Sequence, residues 1–173
     1  INFEELSQFL KNYDVGELVE FVEIIDGIDN SNFIVKTTKD NFIFTIFESR
    51  IDKNSLPYFI NFKEHLALKN ISCPAPIKAK NSQTILEFNQ KKSVLVSFLK
   101  GSTLKPQNDG YYYNITNNHC FQVGSMLAKM HLASKDFKLS RQNDLAVKDF
   151  ENLFNKFKHL LDDYDPILNK LIT

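Results

Sequence analysis

No surplus of either charge, no clustered cysteines and no long apolar run occur in this 173-residue chain. Lysine plus arginine equals aspartate plus glutamate, at 21 each. The totals therefore argue against a nucleic-acid or anionic-membrane partner, although a neutral sum can hide a local basic patch. No apolar stretch approaches the ~20 residues that cross a bilayer, and the N-terminus lacks a signal peptide's charged-then-apolar layout. Cys73 and Cys120 stand alone, outside any CxxC or ligand-like cluster. That isolation favours two reduced thiols in a cytoplasmic chain over a disulfide. No carboxylate–histidine pairs stand at metal-ligand spacing, and no Ser–His–Asp set can be argued. The chain starts at Ile1 and stops at Thr173, inside an apolar helical pattern (Ile167, Leu168, Leu171, Ile172), so both ends read as cut.

What is present is the composition of a folded protein, 43% hydrophobic with 16 phenylalanines. Its length suits one sizeable domain, or a domain and part of a second. Phe3, Leu6, Phe9 and Leu10 recur at helical spacing, with Glu4 and Glu5 in the first turn, where the helix dipole favours negative charge. A turn at Asp14–Glu17 leads to an apolar run, Leu18–Ile25. Two strand-like runs, Phe33–Thr37 and Phe42–Phe47, flank the polar turn Lys39-Asp40-Asn41, the pattern of an antiparallel hairpin.

Before that hairpin lies Asp26–Asn32, a loop of glycine and small polar residues. Such a loop can turn several backbone N–H groups into one concavity that suits an anion, or it can be an ordinary connection. It is neither GxGxxG nor GxxxxGK[ST].

Ser55 as N-cap and Pro57 in the first turn predict a helix to Lys69, with Leu56, Phe59, Phe62 or Lys63, Leu66 and Ala67 on one face. Asn70 is placed to end it in the left-handed conformation. The Cys73-Pro74-Ala75-Pro76 segment must be extended. Strand-like runs follow at Thr84–Phe88 and Ser93–Leu99, joined by Asn89–Lys92. A polar stretch from Leu104 to Asn114 reads as a boundary. Thr116 then caps a helix over Asn117–Ala133 with Cys120, Val123, Leu127, Met130 and Leu132 as its expected buried set, and a second helix covers Val147–Leu161.

The order is more informative than the pieces. A small-residue loop sits between two strands, a third strand follows, then a helix carrying Glu64. Two further strands end in Ser97-Phe98-Leu99-Lys100-Gly101, and helices begin. This is the order of a kinase-like small lobe, its hinge and the first helices of a large lobe. In that design the loop covers the triphosphate, a helix glutamate holds a basic residue of the third strand, and hinge backbone meets adenine. The expected fold is α+β, with residues 1–98 as the small lobe, 99–115 as hinge and linker, and 116–173 as the start of a helical lobe.

The segments GIDNSNFIV, NFIFTIFESRID, LPYFINFKEHLALKNISCPAPI, VLVSFLKGS and VGSMLAKMHLAS closely resemble homoserine kinases of the aminoglycoside-phosphotransferase-like type. LPYFINFKEHLA and GIDNSN favour that family over its relatives. The resemblance implies ATP and Mg²⁺ as cofactors and L-homoserine as acceptor, with small molecules rather than nucleic acid or membrane as partners. It implies a nucleotide loop at Gly27, Asn30, Ser31 and Asn32, a hinge at Ser97, Phe98 and Leu99, and the helix acid at Glu64. Thr45 falls where the third-strand cation is expected, so the usual ion pair with Glu64 is not expected to form. Lys36, Lys63 or Arg50, or backbone amides with Mg²⁺, are the alternatives. Strand alternation puts Ile43 on the face of Thr45, toward adenine if that face meets nucleotide, with Phe42, Phe44 and Ile46 opposite.

An H-G-D-x-x-x-x-N loop is missing: none of His65, His119, His131 and His159 is followed by Gly-Asp. The chain therefore reads as the N-terminal part of such a kinase, expected inactive alone, with metal ligands elsewhere. A related aminoglycoside or choline kinase, or a non-catalytic fragment, are the rival expectations.

Overall fold

In the computed structural model, residues 1–25, 29–48, 55–102, 115–142, 147–157 and 159 are described. The chain forms two compact units, Ile1–Leu139 and Ser140–Thr173. The first contains α1 (Phe3–Leu10), β1 (Leu18–Ile24), β2 (Asn30–Thr37), β3 (Asn41–Phe47), α2 (Leu56–Leu68), β4 (Ile85–Phe88), β5 (Lys91–Ser97) and α3 (Asn117–Ser134). The second contains α4 (Val147–Phe157). The class is α+β, as expected: five strands in the order β1-β2-β3-β5-β4, all paired antiparallel, with one helix inserted after the third.

The alternation of β3, NFIFTIF, divides the core between two faces of the sheet. Phe42, Phe44 and Ile46 join Phe33, Val35 and Leu95 beneath α1, whose Leu6, Phe9 and Leu10 complete that cluster. On the other face Leu56 and Ile60 of α2 cover Val94 and Val96, with Ile43, Phe47 and Ile85 packed alongside. A capping box starts α1: Glu5 N–H donates to Asn2 Oδ1 (2.9 Å) and Asn2 N–H to Glu5 Oε2 (3.1 Å). Gly16 has φ +83°, and a Cβ there would meet Thr38 Oγ1, so the turn into β1 requires glycine.

Several boundaries differ from expectation, each for a local reason. Strand β2 starts at Asn30, because Asn30, Ser31 and Asn32 pair with Phe47, Ile46 and Thr45. The loop is thus shorter than Asp26–Asn32, and its residues 26–28, Gly27 included, lie outside the described set. The last hairpin turns on Asn89 and Gln90 alone, both at positive φ (47° and 65°), which leaves Lys91 and Lys92 in the strand. Ser55 sits in the helical region without a side-chain cap hydrogen bond. Helix α2 buries Ile60 rather than Phe59, which is 39% exposed. Asn70 does take the left-handed conformation (φ 57°), and Ile71 N–H closes on Leu66 O at 3.0 Å.

Thr116 caps α3, its Oγ1 accepting from His119 N–H at 3.3 Å. The burial expected along α3 is absent, however: Cys120 is exposed, and Val123, Leu127 and Leu132 are 69%, 50% and 63% exposed. Helical spacing identified an apolar face, but no described residue covers it. In the second unit Phe150 and Leu153 of α4 are also exposed, and the end of the helix expected at Leu161 lies outside the described residues. No described helix is long and apolar enough to cross a membrane.

Candidate functional site

Antiparallel register places side chains in rows across the α2-side face. One row runs Val22, Ile34, Ile43, Val96, and the next runs Ile24, Asn32, Thr45, Val94, Ile85. Helix α2 covers the Val94–Val96 end through Leu56 and Ile60. The other end is open: Ile34 and Ile43 are half-buried and Val22 is 60% exposed. A half-open apolar strip on a sheet, bordered by hydrogen-bonding side chains, is a surface on which a planar base can lie.

The polar border begins at β2. Thr45 Oγ1 donates to Asn32 Oδ1 at 2.8 Å across the strand pair, and Asn32 Nδ2 donates to Asn30 O at 3.2 Å. Asn30 Oδ1 is buried without a hydrogen-bond partner. Ser31 belongs to the opposite face, where its hydroxyl donates to Glu48 Oε1 (3.0 Å) and Lys91 pairs with Glu48. These two partners hold the Glu48 carboxyl below its usual range, Lys91 contributing most. A cavity of about 350 Å³ opens beside them, lined by Phe21, Phe33, Ile46 and Phe88. Its floor is the α1-side core, so this cavity is separate from the Ile43 strip.

At the end of β5, Ser97 N–H donates to Ala75 O and Ser97 Oγ accepts from Ala75 N–H, both at 2.9 Å. The extended proline segment expected at Cys73–Pro76 therefore locks the last ladder residue. Pro76 bridges Val96, and Ile77 N–H donates to Leu95 O at 2.8 Å. Ser97 has its backbone N–H and hydroxyl occupied, so Phe98 and the 44%-exposed Leu99 carry the chain past the sheet.

Glu64 lies one turn beyond Ile60 on α2, and it has a cationic partner after all. Lys78 Nζ is 2.5 Å from Glu64 Oε1. The partner does not come from the third strand, where Thr45 stands, and Lys78 is not among the alternatives Lys36, Lys63 and Arg50 that the sequence offered. Lys36 instead pairs with Glu20, directly opposite it on β1, at 2.9 Å, and Arg50 lies outside the described residues. Sequence reasoning also missed Val22 and Ile34. Only the register aligns them with Ile43, since their own runs alternate ambiguously.

The remote end of α2 is fixed to the end of α3. His65 Nε2 lies 2.9 Å from Ala133 O and 3.1 Å from Asp136 Oδ1, while Lys69 reaches Asp136 Oδ2 at 2.5 Å. Phe137 sits edge-on to Tyr58 and Phe62 at centroid distances of 5.6 and 5.0 Å. The Lys69 hydrogen bond holds the Asp136 carboxyl below its usual range. Because that folded value is depressed, the pair's contribution is present above the ordinary carboxylate range and is lost as pH falls through the folded value. Among the described residues no group of three or more His, Cys, Asp or Glu side chains is arranged to hold a metal ion.

Residues 20–171 match the model of the phosphotransferase enzyme family. The chain is 39% identical over 173 residues to a protein named homoserine kinase from Agrobacterium fabrum, covering 99% of this chain and 51% of that protein. It is 36% identical over 170 residues to the homoserine kinase of Bradyrhizobium diazoefficiens, covering 98% and 50%. The chain thus spans about half the length of the curated relatives it matches. Among solved structures, spectinomycin phosphotransferase APH(9)-Ia in complex with ADP and spectinomycin superposes with a TM-score of 0.59 at 12% identity, covering 94% of this chain and 55% of that one. An aminoglycoside phosphotransferase from Alicyclobacillus acidocaldarius gives 0.56 at 13% identity, covering 94% and 46%. These likenesses show a protein-kinase-like fold shared with the aminoglycoside phosphotransferases.

Proposed function

We propose, for a chain that belongs to the phosphotransferase enzyme family, that the whole protein transfers the γ-phosphoryl group of ATP to the side-chain hydroxyl of L-homoserine. The product is O-phospho-L-homoserine, on the route to threonine. The relatives named homoserine kinase support the acceptor. The observation that carries the nucleotide half is the open apolar row Val22–Ile34–Ile43–Val96, which ends beside the Ser97–Leu99 crossing.

On this reading adenine lies against Ile43, with Phe98 and Leu99 offering backbone N–H and C=O groups to its edge. Asn30, Asn32 and Thr45 border the ribose and phosphates, and Gly27, outside the described residues, keeps its proposed place in the nucleotide loop. Ser31 contributes through its strand backbone rather than its side chain, which is committed to Glu48. Mg²⁺, when bound with ATP, neutralises charge on the phosphate oxygens. Its ligands are assigned to the half of the relatives' length that this chain does not span. The catalytic aspartate belongs there too, since no H-G-D-x-x-x-x-N occurs here. A cytoplasmic location fits a reaction that draws on ATP and a free amino acid.

The test is product identification with the whole protein. Incubation with ATP, Mg²⁺ and L-homoserine, followed by ³¹P NMR, should show a phosphomonoester that matches authentic O-phospho-L-homoserine. ATP consumption with no such ester, under saturating homoserine, contradicts the acceptor assignment.

A further inference from the structure

We propose that Lys78 supplies the phosphate-binding cation that the third strand lacks, and that Glu64 holds it in position. The inference rests on the nucleotide reading above and deepens it.

Thr45 stands where a cation is expected, and its hydroxyl is committed to Asn32. The face it shares carries three sheet-associated lysines among the described residues. Lys36 pairs with Glu20 on β1, and Lys92 lies 3.5 Å from Glu87 on β4. Only Lys78 reaches across to α2, where Glu64 receives it at 2.5 Å.

Backbone geometry explains why Lys78 points there. Its neighbours Ile77 and Ala79 both pack into the α1-side cluster, so alternation turns Lys78 to the face of Ile43 and Thr45. Ile77 N–H is fixed to Leu95 O and Ala79 N–H to Gln83 O, each at 2.8 Å, which anchors the segment on both sides of the lysine. An ammonium has three donors. Glu64 engages this one from a side chain 29% exposed, while Lys78 itself remains 57% exposed. Donors are left for an anionic guest, and the carboxylate restricts where they point. A triphosphate lying along Asn32 and Thr45 is the guest whose charge suits that arrangement.

The test uses the whole protein and two probes, ADP and adenosine, in binding titrations. Lys78→Met should weaken ADP binding by about tenfold or more, the loss of one charge-assisted contact, and leave adenosine within about twofold. Lys78→Arg should recover most of the ADP affinity, and Lys36→Met and Lys92→Met should match the wild type. Adenosine binding also reports that each variant is folded. Unchanged ADP affinity in Lys78→Met overturns the proposal, as does an equal fall for ADP and adenosine, which marks a merely structural role. A wild-type protein that binds ADP with this Lys78 dependence but does not phosphorylate homoserine supports the cation and overturns only the acceptor. A wild-type protein that binds no ADP overturns both.

Discussion

Replacing Phe44 with alanine tests whether the two faces of the sheet do the different jobs assigned to them. Phe44 is fully buried, with Phe9, Phe88 and Phe33 around it at centroid distances of 5.1, 5.3 and 6.3 Å. Truncation removes the transfer free energy of the ring and its edge contacts, and leaves a cavity between α1 and the sheet. Buried Phe→Ala changes cost roughly 3–5 kcal/mol, and this site, walled by rigid rings, should sit near the middle at about 4 kcal/mol. With a urea m-value of about 2 kcal/mol/M, the unfolding midpoint should fall by about 2 M. The adjacent Ile43 is half-buried on the opposite face. Ile43→Ala should cost only about 1–2 kcal/mol, because part of that side chain is already in water. Urea titration followed by circular dichroism reads both. A Phe44→Ala shift under about 0.5 M, or an Ile43→Ala shift as large as that of Phe44→Ala, would refute the division of faces.

Two further expectations separate stability from function. Ile43→Asp in the whole protein should raise the KM for ATP by about tenfold or more while the fold is retained, since a carboxylate beneath an apolar base is poorly solvated; an unchanged KM with intact folding sinks the adenine assignment. Tyr13 is buried with no partner for its hydroxyl, and burial pushes its pKa up to about 12. The raised folded value means that stability is complete below about pH 10 and falls as pH rises toward the folded value, by on the order of 2–3 kcal/mol. Tyr13→Phe should be neutral or slightly stabilising at pH 7 and should abolish that alkaline loss, and denaturant titrations at pH 7 and 11 check both.

The strands were legible because period-two alternation is a local signal. The run Phe42–Phe47 announced its own two faces, and the structure puts Phe44 and Ile43 on opposite ones. Turn residues were nearly as plain, although Asn89 and Gln90 alone make a turn that four residues were expected to fill. Helix faces were harder to read. Apolar spacing in α3 predicts that something covers Val123, Leu127 and Leu132, yet it does not say what, and no described residue does.

The site was least legible where it depends on register. Val22, Ile34 and Ile43 come from three strands and align only once the ladders are formed. The Glu64–Lys78 pair joins α2 to the irregular segment between α2 and β4; Glu64 was expected as the helix acid, but Lys78 does not stand out in its own sequence context. Searching the third strand for a partner of Glu64 could not find a lysine in the segment between α2 and β4.

The most direct test of the account is a comparison of kcat/KM for L-homoserine, choline and an aminoglycoside, measured with the whole protein at saturating MgATP. Homoserine should be preferred by about a hundredfold or more, as expected if the acceptor site pairs an amino acid's polar groups and so rejects acceptors that leave them unpaired. Equal or greater kcat/KM with choline or the aminoglycoside would contradict it.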